Sequence, residues 1–190
     1  MNEQLSIFGE HSMQRSAVFD GGNRLELHRK WGPGPIACVI GHNPSDAGAE
    51  RDDPTSRWWN AWFQLFGFGG YVAVNLYPWV TSDPRKCYHI VEEINGGVNW
   101  GARDELYYIN LDRTLVARAK EADQVFVCWG AIARDDDWIE HVIEEIQSGV
   151  APYPDLWCWG TNADGSPKHP MARGKHRIPR DQRPILWRAA

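Results

Sequence analysis

The groups in this chain that are able to do chemistry stand just after short apolar runs. After Ile36–Ile40 come Gly41, His42, Asn43, Pro44, Ser45 and Asp46. Tyr71–Leu76 ends around Asn75, and Gln124–Trp129 is followed by Gly130. Beyond Asp155–Trp159, a turn-rich stretch runs from Gly160 through Lys168 and His169 to Pro170. An amide side chain donates and accepts hydrogen bonds at once, and an imidazole does the same through its two nitrogens near neutral pH. Two amides, one imidazole and a glycine-rich backbone make a set for gripping a polar ligand. It contains no carboxylate pair, no metal-ligand spacing and no Ser or Cys beside a base, so neither metal nor cofactor is expected. Cys38, Cys87, Cys128 and Cys158 show no CxxC spacing, and three lie in apolar runs, where a free Cys behaves as a small hydrophobe.

What would bring these residues together is a parallel sheet. Continuous apolarity over four or more residues suits strands buried on both faces. Helical patterns lie between the runs. Asp53 is placed to cap a helix beginning at Pro54, with Trp58, Trp59, Trp62, Phe63 and Phe66 on one side and Gly67 past its end. Residues 102–122 form a long amphipathic stretch, and residues 135–146 carry acids in their first turn with Trp138, Ile139, Val142, Ile143 and Ile146 at helical spacing. Residues 17–31 read as a hairpin turning at Gly21-Gly22-Asn23. The expected fold is therefore α/β: a three-layer αβα sandwich with a central, mainly parallel four-stranded sheet plus an N-terminal β-hairpin. Ligands bind such sheets at the carboxyl ends of their strands, where the four post-strand segments would converge.

The 190 residues, 43% of them hydrophobic, suffice for one domain spanning the chain. Residues 1–15 are polar, without the apolar centre of a signal peptide, and no run approaches the ~18 apolar residues of a membrane span. A cytoplasmic, membrane-free monomer is expected. The net charge is −5 but uneven: residues 168–190 hold seven basic residues and one acid (+6), leaving 13 basic and 24 acidic residues (−11) elsewhere. That asymmetry points to a polyanion-facing patch or, equally, to a solvated basic tail.

The order of these motifs resembles the uracil-DNA glycosylase superfamily. "GHNPS" is similar to its first motif, a glycine–x–(Asn or Asp)–Pro turn. "DDPTSRWWNAWFQLFGF" resembles the proline–x–x–Arg–aromatic helix of the mismatch-specific thymine/uracil branch, and "YVAVN" looks like the strand whose last Asn reads the pyrimidine edge. "VFVCWGAIA" resembles the strand with Trp-Gly, and "HPMA" the second motif, His-Pro-Ser-Pro. Closer still, residues 19–171 resemble a bacterial and phage family, domain-of-unknown-function family 1643, whose Asn-Pro-Ser, "DDPT", "VNL", "WG" and "DGxPKHP" patterns recur here in order.

The resemblance implies a base-excising enzyme acting through an oxocarbenium-like transition state while negative charge builds on the departing pyrimidine. Asn43 and His169 would be catalytic, Asn43 holding the attacking water through its amide oxygen and His169 donating to the O2 of the leaving base. Asn75 would read a uracil-like N3–H/O4 edge, with Gly41, Ser45 and Trp129 around the ring. Lys168, Arg173, Lys175 and Arg177 would hold phosphate. Each has a plainer reading: Asn43 as a turn former, Asn75 as a satisfied buried amide, His169 as surface, the tryptophans as core. His42 is given no role. Ser45 stands where the uracil-specific branch has a blocking tyrosine, which leaves room for 5-substituents, and "HPMARGKHR" lacks that branch's Ser-Pro and duplex wedge. The expected partner is DNA, single- or double-stranded, or a nucleotide. The alternatives are a non-catalytic nucleotide or modified-base binding module, or an enzyme of free nucleotides or nucleosides.

Overall fold

The computed structural model describes residues 13–133 and 135–190. Most of residues 1–15, where no signal peptide is expected, therefore lies outside the described residues. The sheet has seven strands: β1 (Gln14–Asp20), β2 (Asn23–Lys30), β3 (Ile36–Gly41), β4 (Gly70–Asn75), β5 (Gln124–Val127), β6 (Leu156–Cys158) and β7 (Ile185–Arg188), in the spatial order β1-β2-β4-β3-β5-β6-β7. The four apolar runs form its parallel centre, with Gly41 opposite Asn75 and Ile40 opposite Val127.

The expectation of a four-stranded, mainly parallel sheet with an appended hairpin is corrected: the sheet is mixed. β2 pairs antiparallel with β4, Leu27 facing Ala73, so the hairpin extends the sheet instead of standing apart. At the other edge β7 pairs antiparallel with β6. The cause on each side is an unpaired backbone edge on a parallel core, which the nearest extended segment covers. β7 is only four residues, embedded in the basic C-terminal segment.

Two hydrophobic clusters, one on each face, make the layers. Helix α1 (Pro54–Leu65) covers one face against Ala37, Val39, Ala73 and Phe126. It starts where expected, Asp53 accepting the Ser56 amide hydrogen at 2.7 Å and Pro54 in its first turn. Trp62, at 2% exposure, stacks on Phe66 and meets Trp159 edge-on, and its indole donates to the Gln182 carbonyl at 2.9 Å. Complete burial of such side chains stabilises by roughly 1.5–3 kcal/mol each. The segment after Lys168 is thus strapped over α1 on its way to β7.

The alternate residues Cys38, Ile40, Val72, Val74, Val125 and Val127 face the other cluster, under α2 (Arg85–Asn95), α3 (Trp100–Asp104), α4 (Ala117–Glu121) and α5 (Asp136–Ile146). α3 runs into α4 through a π-helical stretch, Glu105–Val116, where Thr114 donates to the Ile109 carbonyl at 2.8 Å. α5 is capped by Asp135, which accepts the Trp138 amide hydrogen. All four cysteines are buried and free, and burial raises each thiol pKa.

Candidate functional site

Parallel register fixes the site. The rims of β3 and β4 are zipped beyond their ends: Leu76 N–H donates to Gly41 O at 3.0 Å, Tyr77 N–H to His42 O at 3.0 Å and Thr81 N–H to Pro44 O at 3.0 Å. Above this rim lies a cavity of about 300 Å³, the low end of the range for ligand pockets. Asn43, Asn75 and His169 all line it, as do Gly41, Ser45 and Trp129.

Asn43 is held at three points. Its amide nitrogen donates to Pro44 O at 2.9 Å and Thr81 O at 2.7 Å, which forces its oxygen towards His42 Nδ1 at 2.8 Å. Since Oδ1 only accepts, His42 carries its proton on Nδ1. Burial lowers the His42 pKa, partly offset by the bond to Asn43. Its Nε2 lies 3.0 Å from the hydroxyl of Tyr88 on α2. One lone pair of Asn43 Oδ1 remains for a ligand or water.

Asn75 closes β4, and its backbone carbonyl accepts from Asn110 at 3.0 Å, with Leu76 O accepting from the same amide at 3.2 Å. The wide π-helical turn carries Asn110, which is fully buried, under the strand end. The Asn75 side chain is only 3% exposed, and its Nδ2 has no hydrogen-bond partner among the described residues. Its Oδ1 lies over Gly41, where a Cβ would come within 2.8 Å.

His169 reaches the cavity because the loop after β6 folds back on Trp129-Gly130. Gly130 N–H donates to Pro167 O at 3.0 Å, and Lys168 N–H to Gly160 O at 2.8 Å. Gly130 sits at φ +78°, and a Cβ there would meet His169 Cβ at 3.0 Å, so this contact requires glycine twice over. His169 Nδ1 accepts the Met171 amide hydrogen at 3.1 Å, leaving Nε2–H as the free donor. Burial pushes its pKa down to about 4, against the pull of Asp53. The ring is neutral near pH 7.

Two charged residues of the wall escaped sequence reasoning. Asp53 serves both as helix cap and as cavity carboxylate: Ser45 Oγ–H donates to it at 2.5 Å. Burial would raise its pKa, but hydrogen bonds from Ser45 and Ser56 and the nearby Arg24 outweigh that and hold it below the ordinary value. Arg24, from β2, also lines the cavity at 4% exposure. Leu27 and Trp59 supply apolar wall; Trp58 and Trp62 belong to the aromatic cluster under it.

The four proposed phosphate cations do not line this cavity. Lys168 lays its methylenes along Gly160, Arg173 borders an adjoining depression shared with Trp129 and His169, and Lys175 and Arg177 are exposed around a short 3₁₀ turn. Among the described residues no cluster of three or more His, Cys, Asp or Glu is placed to hold a metal, and no helix is long and apolar enough to cross a membrane.

Fold and site together define an α/β protein with a cleft at the carboxyl ends of its parallel strands. Residues 24–171 match the family described as Protein of unknown function (DUF1643), and the chain belongs to that family. No curated protein and no solved structure matches it.

Proposed function

We propose that the chain hydrolyses the N-glycosidic bond of a uracil-like or 5-modified pyrimidine, acting as a DNA glycosylase-like enzyme. The observation that carries this reading is that Asn75, whose buried Nδ2 has no partner among the described residues, lines the same cavity as His169 and Asn43. A buried amide with no partner costs roughly 1–3 kcal/mol, a debt that a ligand's carbonyl oxygen removes. Asn75 Nδ2 suits O4 of the ring and its Oδ1 suits N3–H. The resemblance of the Asn43, Asn75 and His169 motifs to uracil-DNA glycosylases supports the same assignment.

The chemistry follows from charge. The bond from C1′ to N1 breaks, its electron pair goes to the base, and O2 takes part of the resulting negative charge. A neutral His169 donates Nε2–H to that oxygen without having to lose its proton. Asp53, ionised and fixed, supplies negative charge for the oxocarbenium ion. Asn43 Oδ1 accepts a hydrogen bond from the water that adds to C1′. An amide takes up no proton, so the water's proton leaves to the base anion or to solvent after the cation has formed. Ser45 is small, which leaves space beside the ring for a 5-substituent.

The test is incubation with oligonucleotides bearing uracil, 5-hydroxymethyluracil or mismatched thymine, followed by hot alkali. Strand breaks at the modified base are expected, and no break anywhere in the panel counts against the proposal. One observation favours a second reading, an enzyme of free nucleotides or nucleosides: Lys168, Arg173, Lys175 and Arg177 stand outside the cavity. Binding to polymer should weaken steeply with salt through counterion release, and binding to a mononucleotide far less. Ligand-dependent thermal stabilisation without turnover would instead mark a binding module.

A further inference from the structure

Arg24 and Arg29 lie on the same strand and are both buried, yet only one is satisfied. Arg29 engages all three of its guanidinium nitrogens: Nε donates to Asp52 Oδ1 at 2.8 Å, Nη1 to His28 O at 2.7 Å, and Nη2 to Gly48 O at 2.7 Å and Arg51 O at 3.3 Å. This is how the fold builds a structural arginine. Arg24 donates from Nη1 to Ala47 O at 2.7 Å, and its Nε has no partner among the described residues. No carboxylate pairs with it at contact distance among them. Burial lowers its pKa to about 10, so it stays charged near neutrality.

The backbone aims it into the cavity. In a regular strand, residues 24 and 27 point to opposite faces. Here Val18 pairs with Glu26 and Phe19 with Arg24, which leaves Leu25 as an extra residue on β2. A bulge of this kind re-aims the side chain beside it, and Arg24 joins Leu27 in the same cavity wall. Burying a cation with open donors is costly unless something completes it. A planar guanidinium fork is matched best by a carboxylate or phosphate.

We infer that Arg24 is a specificity-determining residue that receives an oxyanion carried by the ligand. The inference rests on the proposed function for the pyrimidine ring but not for the oxyanion, which Arg24 alone requires. The anion comes either from a carboxylate on the ring or from the phosphate of a nucleotide, and matched probes separate these sources. Binding of uracil against orotate, and of deoxyuridine against deoxyuridine 5′-monophosphate, would be measured by calorimetry on the whole protein, wild type, R24Q and R24K. The expected result is a preference of tenfold or more for at least one anionic probe over its neutral parent. R24Q should abolish that preference, and R24K should restore only part of it, having charge but no fork. The pair that shows the preference names the source.

Equal binding of anionic and neutral probes by the wild type overturns the inference, and this needs no variant to fold. So does a preference that survives in a folded R24Q. Excision of uracil from DNA without any anion preference removes this inference and leaves the proposed function standing. An Arg24-dependent preference with no excision does the reverse, and no binding of any probe removes both.

Discussion

The Nδ1–H of His42 is donated to Oδ1 of Asn43 at 2.8 Å, and with the two carbonyls that take the Asn43 amide hydrogens it leaves that side chain a single orientation. The free lone pair on Oδ1 can therefore point only one way. Replacing His42 by Phe keeps ring volume and removes one of the three bonds that hold the amide, so its oxygen is placed less tightly. An error of about 1 Å at a reacting group costs on the order of 10²-fold in rate. H42F should reduce single-turnover base excision by about that factor while the affinity for substrate changes little. Equal rates for H42F and wild type would show that Asn43 needs no such support.

Asp53 has two duties that one pair of variants separates. Asn caps helices as well as Asp, whereas Ala costs about 1 kcal/mol. D53N should therefore hold its urea midpoint near wild type, and D53A should fall. Both remove the fixed negative charge beside the cavity, so both should lose excision rate by a similar large factor, tenfold or more. If rate follows stability, with D53N active and D53A weakened, Asp53 is only a cap.

The convergence of Asn43, Asn75 and His169 was legible because continuous apolar runs imply parallel strands, and parallel strands put their carboxyl ends on one rim. Asp53 as cap and Pro54 as first residue were legible too, since capping is local chemistry. Arg24 was not, because a bulge is a relation between two strands, and Arg24-Leu25-Glu26-Leu27-His28 reads on paper as plain alternation. β7 was hidden for a related reason: Ile185–Arg188 becomes a strand by completing the edge of β6, and four residues carry little pattern alone. His42 was visible beside Asn43, but its use depends on the direction of an amide that only the Pro44 and Thr81 carbonyls decide.

Acid should destabilise the protein in a defined window. His169 has an ordinary value of 6.5 that folding lowers to about 4, and burial lowers His42 in the same direction. Below the ordinary value the unfolded chain binds protons that the folded one does not, so stability is full above pH 6.5 and falls as the pH drops towards 4. For His169 alone the loss is at most about 3 kcal/mol, at 1.36 kcal/mol per pH unit. Asp53 adds a loss at still lower pH, since its depressed carboxyl must then be protonated. Urea midpoints across this range should slope with pH in the wild type and slope less in H169N, whose amide oxygen can still accept the Met171 hydrogen. Excision by the wild type should stay level from pH 8 to about 5, because neither His169 nor Asp53 changes charge there.

Gly41 offers the most direct test of Asn75, because it acts on that residue without replacing it. Its backbone is not in the left-handed region, so alanine is conformationally acceptable; the obstacle is the Asn75 oxygen, 2.8 Å from the new Cβ. G41A should push the amide out of the position from which its Nδ2 serves the cavity. The register of β3 and β4 is set by backbone bonds and should survive, so the protein should fold with a modest loss, about 1–3 kcal/mol as for other overpacked sites. Binding of uracil should drop as far in G41A as in N75A, roughly tenfold. The two changes should also fail to add, because both remove the same contact, and a double-mutant cycle measures that directly. If G41A and N75A weaken binding independently and additively, Gly41 does not act through Asn75, and the amide is not the group that reads the ring.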